Sequence, residues 1–576
     1  MENENYGSDG STLSYADNET FANAPTQKKI GFFSAILIVI GSSIGAGIFF
    51  KSKAVLDLSH GSLVLAIFTW VVAGIAVMAM ALALIEIASA RNDNLGLIGW
   101  CKAFNSRIIY KASKNLMFYI YLPLTYFFMP LYALLSLQDA IGAFGTTLAA
   151  DGTINYGNPN LGAGSSDWII WTVISLCISA FFIFGSGLSS KFGNVANIII
   201  TSLKFIPLGI AAVIGFVFLG MNPGAVDAIN PLPPPVPVPD PTLPVVPASL
   251  ASFSGLTPAF GMIIAIGAIF FAYDGFYVTS GMQSEMKEPK KTPLAILFGL
   301  GIMTAIYLLI AVSMSMNGSG SFFGFGDWLY SINMAWFFGL TNLLIAVGIL
   351  GVLNGFSIWA PRFAEDLIAE KELPGWSKNI DKLNSDKPLV GIKYSVIISL
   401  PIVLLFTIIG AIGYVDSGAY TTAGYTSEMV KLYSFADLMA TWTAVFVFGF
   451  ISLSILGGIK NRKTQLVVTD EKKYFMSTGW IAVIVNFLTL FLTAFAPFYD
   501  LFMLIPASNT MTTLPDGSQG LFEISSEILI SRIMLVLVFF LMVGLMFLPT
   551  IFSDKKLIKQ YGSIENATQA LGLDQK

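Results

Sequence analysis

Charged residues are scarce in this chain. Lys, Arg, Asp and Glu together make up 11% of its 576 residues, whereas hydrophobic residues make up 55%. The mean hydropathy is +0.73. This composition excludes an ordinary soluble globular protein. The formal net charge is only −4, and the basic residues are spread over many loops, so the sequence offers no patch for binding nucleic acid.

Histidine and cysteine are nearly absent as well. The chain has one histidine, His60, and two cysteines, Cys101 and Cys177. We therefore expect no metal site, no cofactor and no disulfide. A membrane enzyme would need a cluster of histidine, cysteine or paired carboxylates at one membrane face, which the sequence does not supply. It also lacks a phosphate-binding loop that would couple the chain to ATP.

Long apolar runs, by contrast, recur along the chain, each of about 20 residues or more and long enough to cross a bilayer. They predict an all-α polytopic membrane protein with twelve transmembrane helices. The predicted spans, numbered 1 to 12 in order, are 31–50, 63–89, 115–145, 168–186, 193–220, 258–282, 294–315, 332–368, 391–414, 432–457, 475–497 and 528–551.

The basic residues predict the orientation of these spans. Most of the 31 Lys and Arg residues fall in loops on one side of the predicted membrane. By the positive-inside rule that side is cytoplasmic, as are both termini of a multi-pass plasma-membrane protein. The exceptions are Lys51, Lys53, Lys431 and Arg532, placed at or near the outer ends of spans, and Lys204, placed inside span 5.

The segments outside the spans divide the chain further. Residues 1–29 are polar and acidic without the features of a signal peptide, and predict a disordered cytoplasmic tail. Residues 221–257 form a proline-rich external loop, interpreted as a stiff spacer or a docking arm. The remaining divisions are 30–220 for spans 1–5, 258–457 for spans 6–10, 458–552 for spans 11 and 12, and 553–576 for a cytoplasmic C-terminal tail.

Two of the apolar spans contain glycine-rich interruptions, at Gly41–Gly47 in span 1 and at Gly267–Gly275 in span 6. Inside a bilayer, broken helices are tolerated only beside protein or a water-lined cavity. Matching breaks in two halves of a chain indicate the binding site of a transporter. The alternative for the span 1 glycines is close helix packing of the small-xxx-small kind.

The motif Gly41-Ser-Ser-Ile-Gly-Ala-Gly-Ile-Phe49 resembles the first helix of the amino acid–polyamine–organocation (APC) superfamily of transporters. Phe271-Ala-Tyr-Asp-Gly-Phe276 resembles the sixth helix of its amino acid permeases. Further similar stretches lie around Glu86, between Lys191 and Lys204, and from Leu353 to Pro374. The resemblance implies a LeuT-like fold, with a 5+5 inverted repeat of spans 1–5 and 6–10 and with broken helices 1 and 6. It also implies a substrate pocket between those two helices.

The broken helices supply chemistry for both ends of a zwitterion. Freed N–H groups after the break of span 1 suit a carboxylate, and freed carbonyls in span 6 suit an ammonium group. In the family, an aromatic residue at the Phe271 position also covers the substrate, which implies that Phe271 is an outer gate. The expected substrate-binding residues are Ser43, Ile44, Gly45, Ala46, Gly47, Phe271, Ala272, Tyr273, Asp274 and Gly275.

Five ionisable side chains have a functional and a structural interpretation. Asp274 either faces the substrate amine or caps the second half of span 6. Lys204 matches a fifth-helix lysine that replaces sodium in sodium-independent relatives, where it would contact Gly41 and Ser357. It would then either release a proton during transport or serve as a static tie between helices. Glu86 and Glu285, the latter with Arg362, either form an inner gate or are solvated interfacial charges.

The resulting prediction is a secondary active transporter that imports amino acids by alternating access, as a proton symporter or an exchanger. A transporter of polyamines or other organic amines, and more distantly a substrate-sensing receptor, remain alternatives. The expected partners are a small amino acid, protons and the lipid bilayer. A disulfide-linked accessory subunit is not expected, because no cysteine lies in the loop between spans 3 and 4.

Overall fold

The computed structural model describes residues 31–43, 45, 47–90, 95–222, 252–277, 286–384, 387–415, 425–509, 511–513, 518–521, 524 and 526–571. Several predicted features lie outside these residues. They are the acidic tail, most of the proline-rich loop, Ile44 and Ala46 of the span 1 motif, and Glu285.

The described chain is almost entirely helical. Ten of its helices are long and apolar enough to cross a membrane. The helices on the predicted spans are Phe32–Ser43 and Gly47–Leu58 (span 1), Leu63–Ala88 (2), Arg107–Asn115 continued by Leu116–Tyr121 and Leu122–Gly145 (3), Asp167–Leu188 (4), Ser190–Met221 (5), Pro258–Ala272 (6), Thr292–Ser315 (7), Ala335–Ala369 (8), Leu389–Ile408 continued by Ile409–Gly413 (9), Ser427–Thr464 (10), Phe475–Phe502 (11) and Ser526–Tyr561 (12).

The connections contain short helices and two hairpins. The short α-helices are Leu97–Phe104, Gly326–Ser331, Trp376–Asn379, Leu504–Ala507 and Ile564–Leu571. The antiparallel hairpins pair Thr147–Leu148 with Ile154–Asn155 and Met511–Thr513 with Gln519–Leu521.

The bundle has two ends. We call the end with loops 89–107, 370–388 and 465–474 the basic end, because it carries most of the Lys and Arg residues. The opposite end carries loops 59–62, 146–166 and 316–334.

Burial distinguishes central from peripheral spans. The apolar windows of spans 3 and 10 are 83% and 78% buried within the protein, whereas that of span 12 is only 17% buried. Spans 1 and 6 pack against each other, and span 6 also packs against span 10. The two glycine-interrupted spans are therefore placed among protein neighbours, where an interruption can be stabilised.

Both interruptions are present. In span 1 one helix ends at Ser43 and the next begins at Gly47. In span 6 the helix ends at Ala272, inside the predicted break, and a turn follows through Tyr273 and Asp274. Residues 278–282 of the predicted span lie outside the described residues. Gly275 has a φ of +96°, a conformation that side chains with a Cβ rarely adopt.

The two interruptions touch each other. A Cβ added to Gly47 would lie 2.6 Å from the Cα of Ala272, so only glycine permits this approach of the two backbones. The contact fixes the distance between the second half of span 1 and the end of the span 6 helix.

We predict that Gly47→Ala lowers the melting temperature of the purified protein in detergent. The added methyl group meets backbone rather than a flexible side chain, and such overpacking costs about 1–3 kcal/mol. The matched control is Gly301→Ala in span 7, where nothing lies within 4 Å of the added Cβ. It should leave the melting temperature unchanged or raise it, because alanine favours helix by up to about 1 kcal/mol over glycine. Equal melting temperatures for the two variants would contradict the close approach.

Candidate substrate site and its two closures

The carboxyl group of Asp274 lies at the break of span 6 and contacts span 3. Its Oδ2 accepts a hydrogen bond from the Tyr121 hydroxyl at 2.9 Å, and its Oδ1 accepts the N–H of Gly275 at 3.0 Å. The second bond is a local one, as expected of an aspartate that stabilises a turn. Tyr121 ends a π-helical segment, Leu116–Tyr121, and such segments occur frequently at functional sites.

The carbonyl groups at this break already have partners within the protein. The Phe271 carbonyl accepts the N–H of Asp274 at 3.2 Å. The Ala272 carbonyl accepts the Tyr307 hydroxyl at 2.8 Å. Each carbonyl oxygen has two lone pairs, so each can still accept one further donor.

Tyr273 points away from the span 3 contact of Asp274. Its hydroxyl lies 2.7 Å from Thr304 Oγ1 of span 7, and its side chain is completely buried. The side chain of Tyr273 therefore ties span 6 to span 7, and only its backbone remains a candidate for substrate contact.

Aromatic side chains surround the Tyr121 position. Phe356 lies 5.9 Å from the ring of Tyr121 and 5.2 Å from that of Tyr126, while Trp359 lies 6.4 Å from Tyr121. Tyr126 donates a hydrogen bond to Ser357 Oγ at 3.1 Å. The structure thus brings Tyr121, Tyr126 and Trp359 together at the faces of spans 3 and 8.

Lys204 lies beside span 8, toward the first break. It lines a small cavity of about 10 Å³ together with Gly45 and Gly348. A Cβ on Gly348 would lie 3.2 Å from the Cβ of Lys204. Ser357 is nine positions further along the same helix, or roughly 14 Å. The Ser357 hydroxyl accepts a hydrogen bond from Tyr126, and the suggested contacts of Lys204 with Gly41 and Ser357 remain predictions.

A buried ion pair lies between the site and the opposite end of the bundle. Lys51, placed by the sequence at the outer end of span 1, is completely buried. Its Nζ lies 2.7 Å from Asp437 Oδ1 and donates to the Asp437 carbonyl at 2.7 Å and to Thr441 Oγ1 at 2.9 Å. The pair joins the second half of span 1 to span 10.

Aromatic rings cover this ion pair. The Lys51 ammonium lies 5.0 Å from the centre of the Phe271 ring, within the range of a cation–π interaction. The Tyr132 hydroxyl donates to Asp437 Oδ1 at 2.6 Å, and its ring stacks on Phe50 at 4.5 Å. Phe271, the predicted gate residue, thus lies directly beneath the ion pair.

The sequence analysis missed Lys51 and Asp437 as a pair. A signal for Asp437 was present, because an ionisable residue inside an apolar span is a functional candidate by default. The partner was not predictable, since 386 positions separate the two residues and no local pattern links them.

A second buried ion pair lies at the basic end. Glu86 is 2% exposed and accepts two hydrogen bonds from the Arg462 guanidinium, at 2.8 and 2.7 Å. It also accepts the N–H of Lys472 at 2.7 Å. The interpretation of Glu86 as a solvated interfacial charge is therefore wrong. Span 2 is tied to the end of span 10 at this point.

Arg362 at the end of span 8 bonds to backbone rather than to a described acid. Its Nη1 donates to the carbonyl of Ile358 at 2.6 Å and to that of Gly187 at 3.5 Å. Its suggested partner Glu285 lies outside the described residues, so this pairing remains a prediction.

A further charged cluster at the basic end surrounds Glu372, in the loop after span 8. The Lys111 ammonium contacts both carboxylate oxygens, at 2.5 and 2.6 Å, and Tyr110 donates to Oε1 at 2.7 Å. Lys114 lies 3.4 Å from Oε2. Burial by itself would raise the pKa of Glu372, but the two lysines outweigh it and lower that pKa to about 2.

With this geometry in place, the relatives of the chain can be compared. A family model described as amino acid permease matches residues 30–514. The chain belongs to the amino acid permease family. The resemblance to the APC superfamily is thereby confirmed, and this permease is a multi-pass membrane transporter rather than an enzyme.

Several individual proteins are similar to this chain. An uncharacterised protein of Mycoplasma pneumoniae is 44% identical, with 94% of this chain and 97% of that protein covered. The serine/threonine exchanger SteT of Bacillus subtilis is 27% identical, with 66% and 77% covered. Among solved structures, a variant of the Eremococcus coleocola manganese transporter matches with a TM-score of 0.46 at 12% identity, covering 90% of this chain and 95% of that one.

We predict that Lys51→Met strongly destabilises this permease, by about 3–5 kcal/mol, because Asp437 is left as an uncompensated buried charge. The double variant Lys51→Met with Asp437→Asn should recover part of that loss. The control is Lys53→Met, whose pair with Asp57 is solvent-exposed and contributes at most about 1 kcal/mol. Thermal unfolding in detergent measures all three. A Lys51→Met variant no less stable than Lys53→Met would be inconsistent with the buried pair.

The lowered pKa of Glu372 predicts how the stability of the protein depends on pH. Because its pKa is lowered from 4.5 to about 2 in the folded protein, its stabilising effect is fully present above pH 4.5. The effect is lost as the pH falls from 4.5 toward 2. Melting temperatures of wild type and Glu372→Gln should therefore differ at pH 7, and the difference should shrink as the pH falls from 4.5 toward 2. The exposed Glu527→Gln serves as control, and a constant difference between wild type and Glu372→Gln at all pH values would refute the coupling.

Proposed function

We propose that this permease is a secondary active transporter that imports amino acids across the plasma membrane by alternating access, as a proton symporter or an exchanger. In this proposal the chain has twelve spans, with spans 1–5 and 6–10 forming the two inverted repeats. The basic end and both termini are cytoplasmic. The opposite end is extracellular, in agreement with the positive-inside rule.

The contact between the two helix breaks is the observation that carries the proposal. Gly47 of span 1 touches Ala272 of span 6, and the Asp274 carboxyl group lies in the adjoining turn. An ordinary bundle gains nothing from two interrupted helices that meet in its interior, because every interruption leaves peptide groups without helical partners. A transporter gains hydrogen-bonding groups for a substrate.

The proposed site holds both ends of an amino acid. N–H groups of Gly45, Ala46 and Gly47 bind the carboxylate at the start of the second helix of span 1, where the helix dipole favours negative charge. Carbonyls of Phe271, Ala272 and Asp274, with that of Ser43, bind the ammonium group. Ile44, Tyr273 and Gly275 complete the backbone around the substrate. Entry of a substrate then requires Gly47 and Ala272 to separate.

Two closures alternate in the proposed cycle. The Lys51–Asp437 pair and Phe271 close the extracellular side, and the Glu86–Arg462 pair closes the cytoplasmic side. Both are intact in this structure, which corresponds to a state closed at both ends. Glu86 lies in span 2 and Arg462 in span 10, and both spans pack against span 6. Separation of this pair would therefore move helices that contact the proposed substrate site.

Lys204 is the proposed coupling residue. It adjoins Gly45 in the wall of the same small cavity, close to the break of span 1. An ammonium group at this position would stabilise carbonyls freed at the end of the first helix of span 1, near Gly41. Sodium-independent transport follows from this role, whether or not the lysine releases a proton.

Transport of an organic amine is the second candidate. The buried carboxyl group of Asp274 could bind an ammonium group without any carboxylate on the substrate. In an amino acid carrier, by contrast, the backbone carbonyls suffice to bind the ammonium group, and the Asp274 carboxylate stabilises the turn.

The experiment is uptake into liposomes that contain the purified protein, with a panel of labelled amino acids and diamines. We expect saturable uptake of an amino acid, stimulated by a pH gradient or by internal substrate and independent of sodium. Asp274→Asn, which keeps one acceptor oxygen for the turn at Gly275, should retain most amino acid uptake. Complete loss of uptake in a normally folded Asp274→Asn variant would assign Asp274 to the substrate amine rather than to the turn. Absence of counterflow for every compound would refute the transport proposal.

A further inference from the structure

A second cavity lies at the extracellular end of the bundle, beyond the Lys51–Asp437 closure. Its volume is about 380 Å³, within the range of small-molecule binding sites. Its walls come from the second half of span 1, the end of span 3, and the two loops at 146–166 and 316–334. We call it the vestibule.

The vestibule lies directly above the closure described earlier. Phe50 lines it and stacks on Tyr132, whose hydroxyl bonds to Asp437 of the ion pair. Below the pair lies Phe271 at the break of span 6. A molecule that enters the transporter from outside therefore occupies the vestibule before the ion pair separates.

The vestibule carries an excess of negative charge. Asp139 and Asp327 both line it, and the one cation among the described lining residues is Lys53. The Lys53 ammonium is already paired with Asp57 at 2.9 Å. The two lining carboxylates thus have no cation of their own among the described residues.

Asp139 is the more enclosed of the two carboxylates. Its residue is only 9% exposed, and its Oδ1 accepts the hydroxyl of Tyr425. The other carboxylate oxygen has no hydrogen-bond donor among the described residues. Asp327 in turn accepts the Tyr156 hydroxyl at 3.0 Å. The cavity thus offers an enclosed carboxylate oxygen together with the rings of Tyr425 and Phe50.

We propose that the vestibule is a second binding site, selective for the ammonium group of small amines and amino acids, with Asp139 as its main anchor and Asp327 as a second one. A carboxylate–ammonium hydrogen bond supplies affinity, and neighbouring aromatic rings favour a cation over an anion. The role of the vestibule as an entry site for substrate rests on the proposed transport function. Binding at the site does not require that transport be demonstrated.

The test is calorimetric titration of 1,4-diaminobutane into the full chain in nanodiscs of uncharged phosphatidylcholine, at about 0.15 M salt. The neutral analogue 1,4-butanediol controls for binding by shape alone. We expect Asp139→Asn, which keeps an acceptor for Tyr425, to weaken diamine binding about ten-fold through loss of a charge-assisted hydrogen bond. Asp327→Asn should weaken it by a smaller factor.

One variant serves as the matched control. Asp151→Asn removes an exposed acid from the same extracellular loop, outside the vestibule, and should leave the affinity unchanged. Melting curves establish that each variant is folded.

Three results would overturn the vestibule site. They are absence of diamine binding to the wild type, equal weakening by Asp139→Asn and Asp151→Asn, and weakening by Asp274→Asn but not by Asp139→Asn. The last result would place the diamine at the central site. Failure of transport with intact, Asp139-dependent binding would instead count against the proposed function alone.

Discussion

The hydrogen bonding of backbone groups inside the membrane is the constraint on which this structure depends. A helix satisfies its own peptide groups, so a bilayer-spanning chain gains nothing from an interruption unless protein or ligand takes over the freed groups. Spans 1 and 6 are both interrupted, and their interruptions meet at Gly47 and Ala272. The neighbouring tyrosines, Tyr121 and Tyr307, supply some of the missing partners. Substrate would supply others.

Few charged side chains among the described residues lie near the contact of Gly47 with Ala272, and most of them form ion pairs. Lys51 with Asp437 and Glu86 with Arg462 lie on opposite sides of the broken helices, and each pair includes a nearly inaccessible group. Buried pairs add little net stability relative to apolar packing, but separating their partners is costly. Such pairs are well suited to hold two alternative closures, because each has a defined closed geometry and a substantial barrier to accidental opening. Span 10 contributes to both pairs.

The sequence predicted a large part of this arrangement. Apolar runs located the spans, since their length and composition reflect the bilayer directly, and glycine clusters located both breaks. The motifs around Gly41–Phe49 and Phe271–Phe276 identified the family. Partners distant along the chain could not be predicted, because nothing local connects Lys51 to Asp437 or Glu86 to Arg462. The orientation of side chains could not be predicted from the sequence either. Tyr273 faces span 7, and Ser357 bonds to Tyr126, although both were placed by motif in or near the substrate site.

The central claim is that the freed backbone groups of spans 1 and 6 bind both ends of one small zwitterion. An experimental structure of the protein with a transported amino acid tests it most directly. The account predicts the carboxylate at the N–H groups of Gly45–Gly47 and the ammonium group at the carbonyls of Phe271–Asp274, with Gly47 and Ala272 moved apart. A substrate bound elsewhere while Gly47 still touches Ala272 would contradict it.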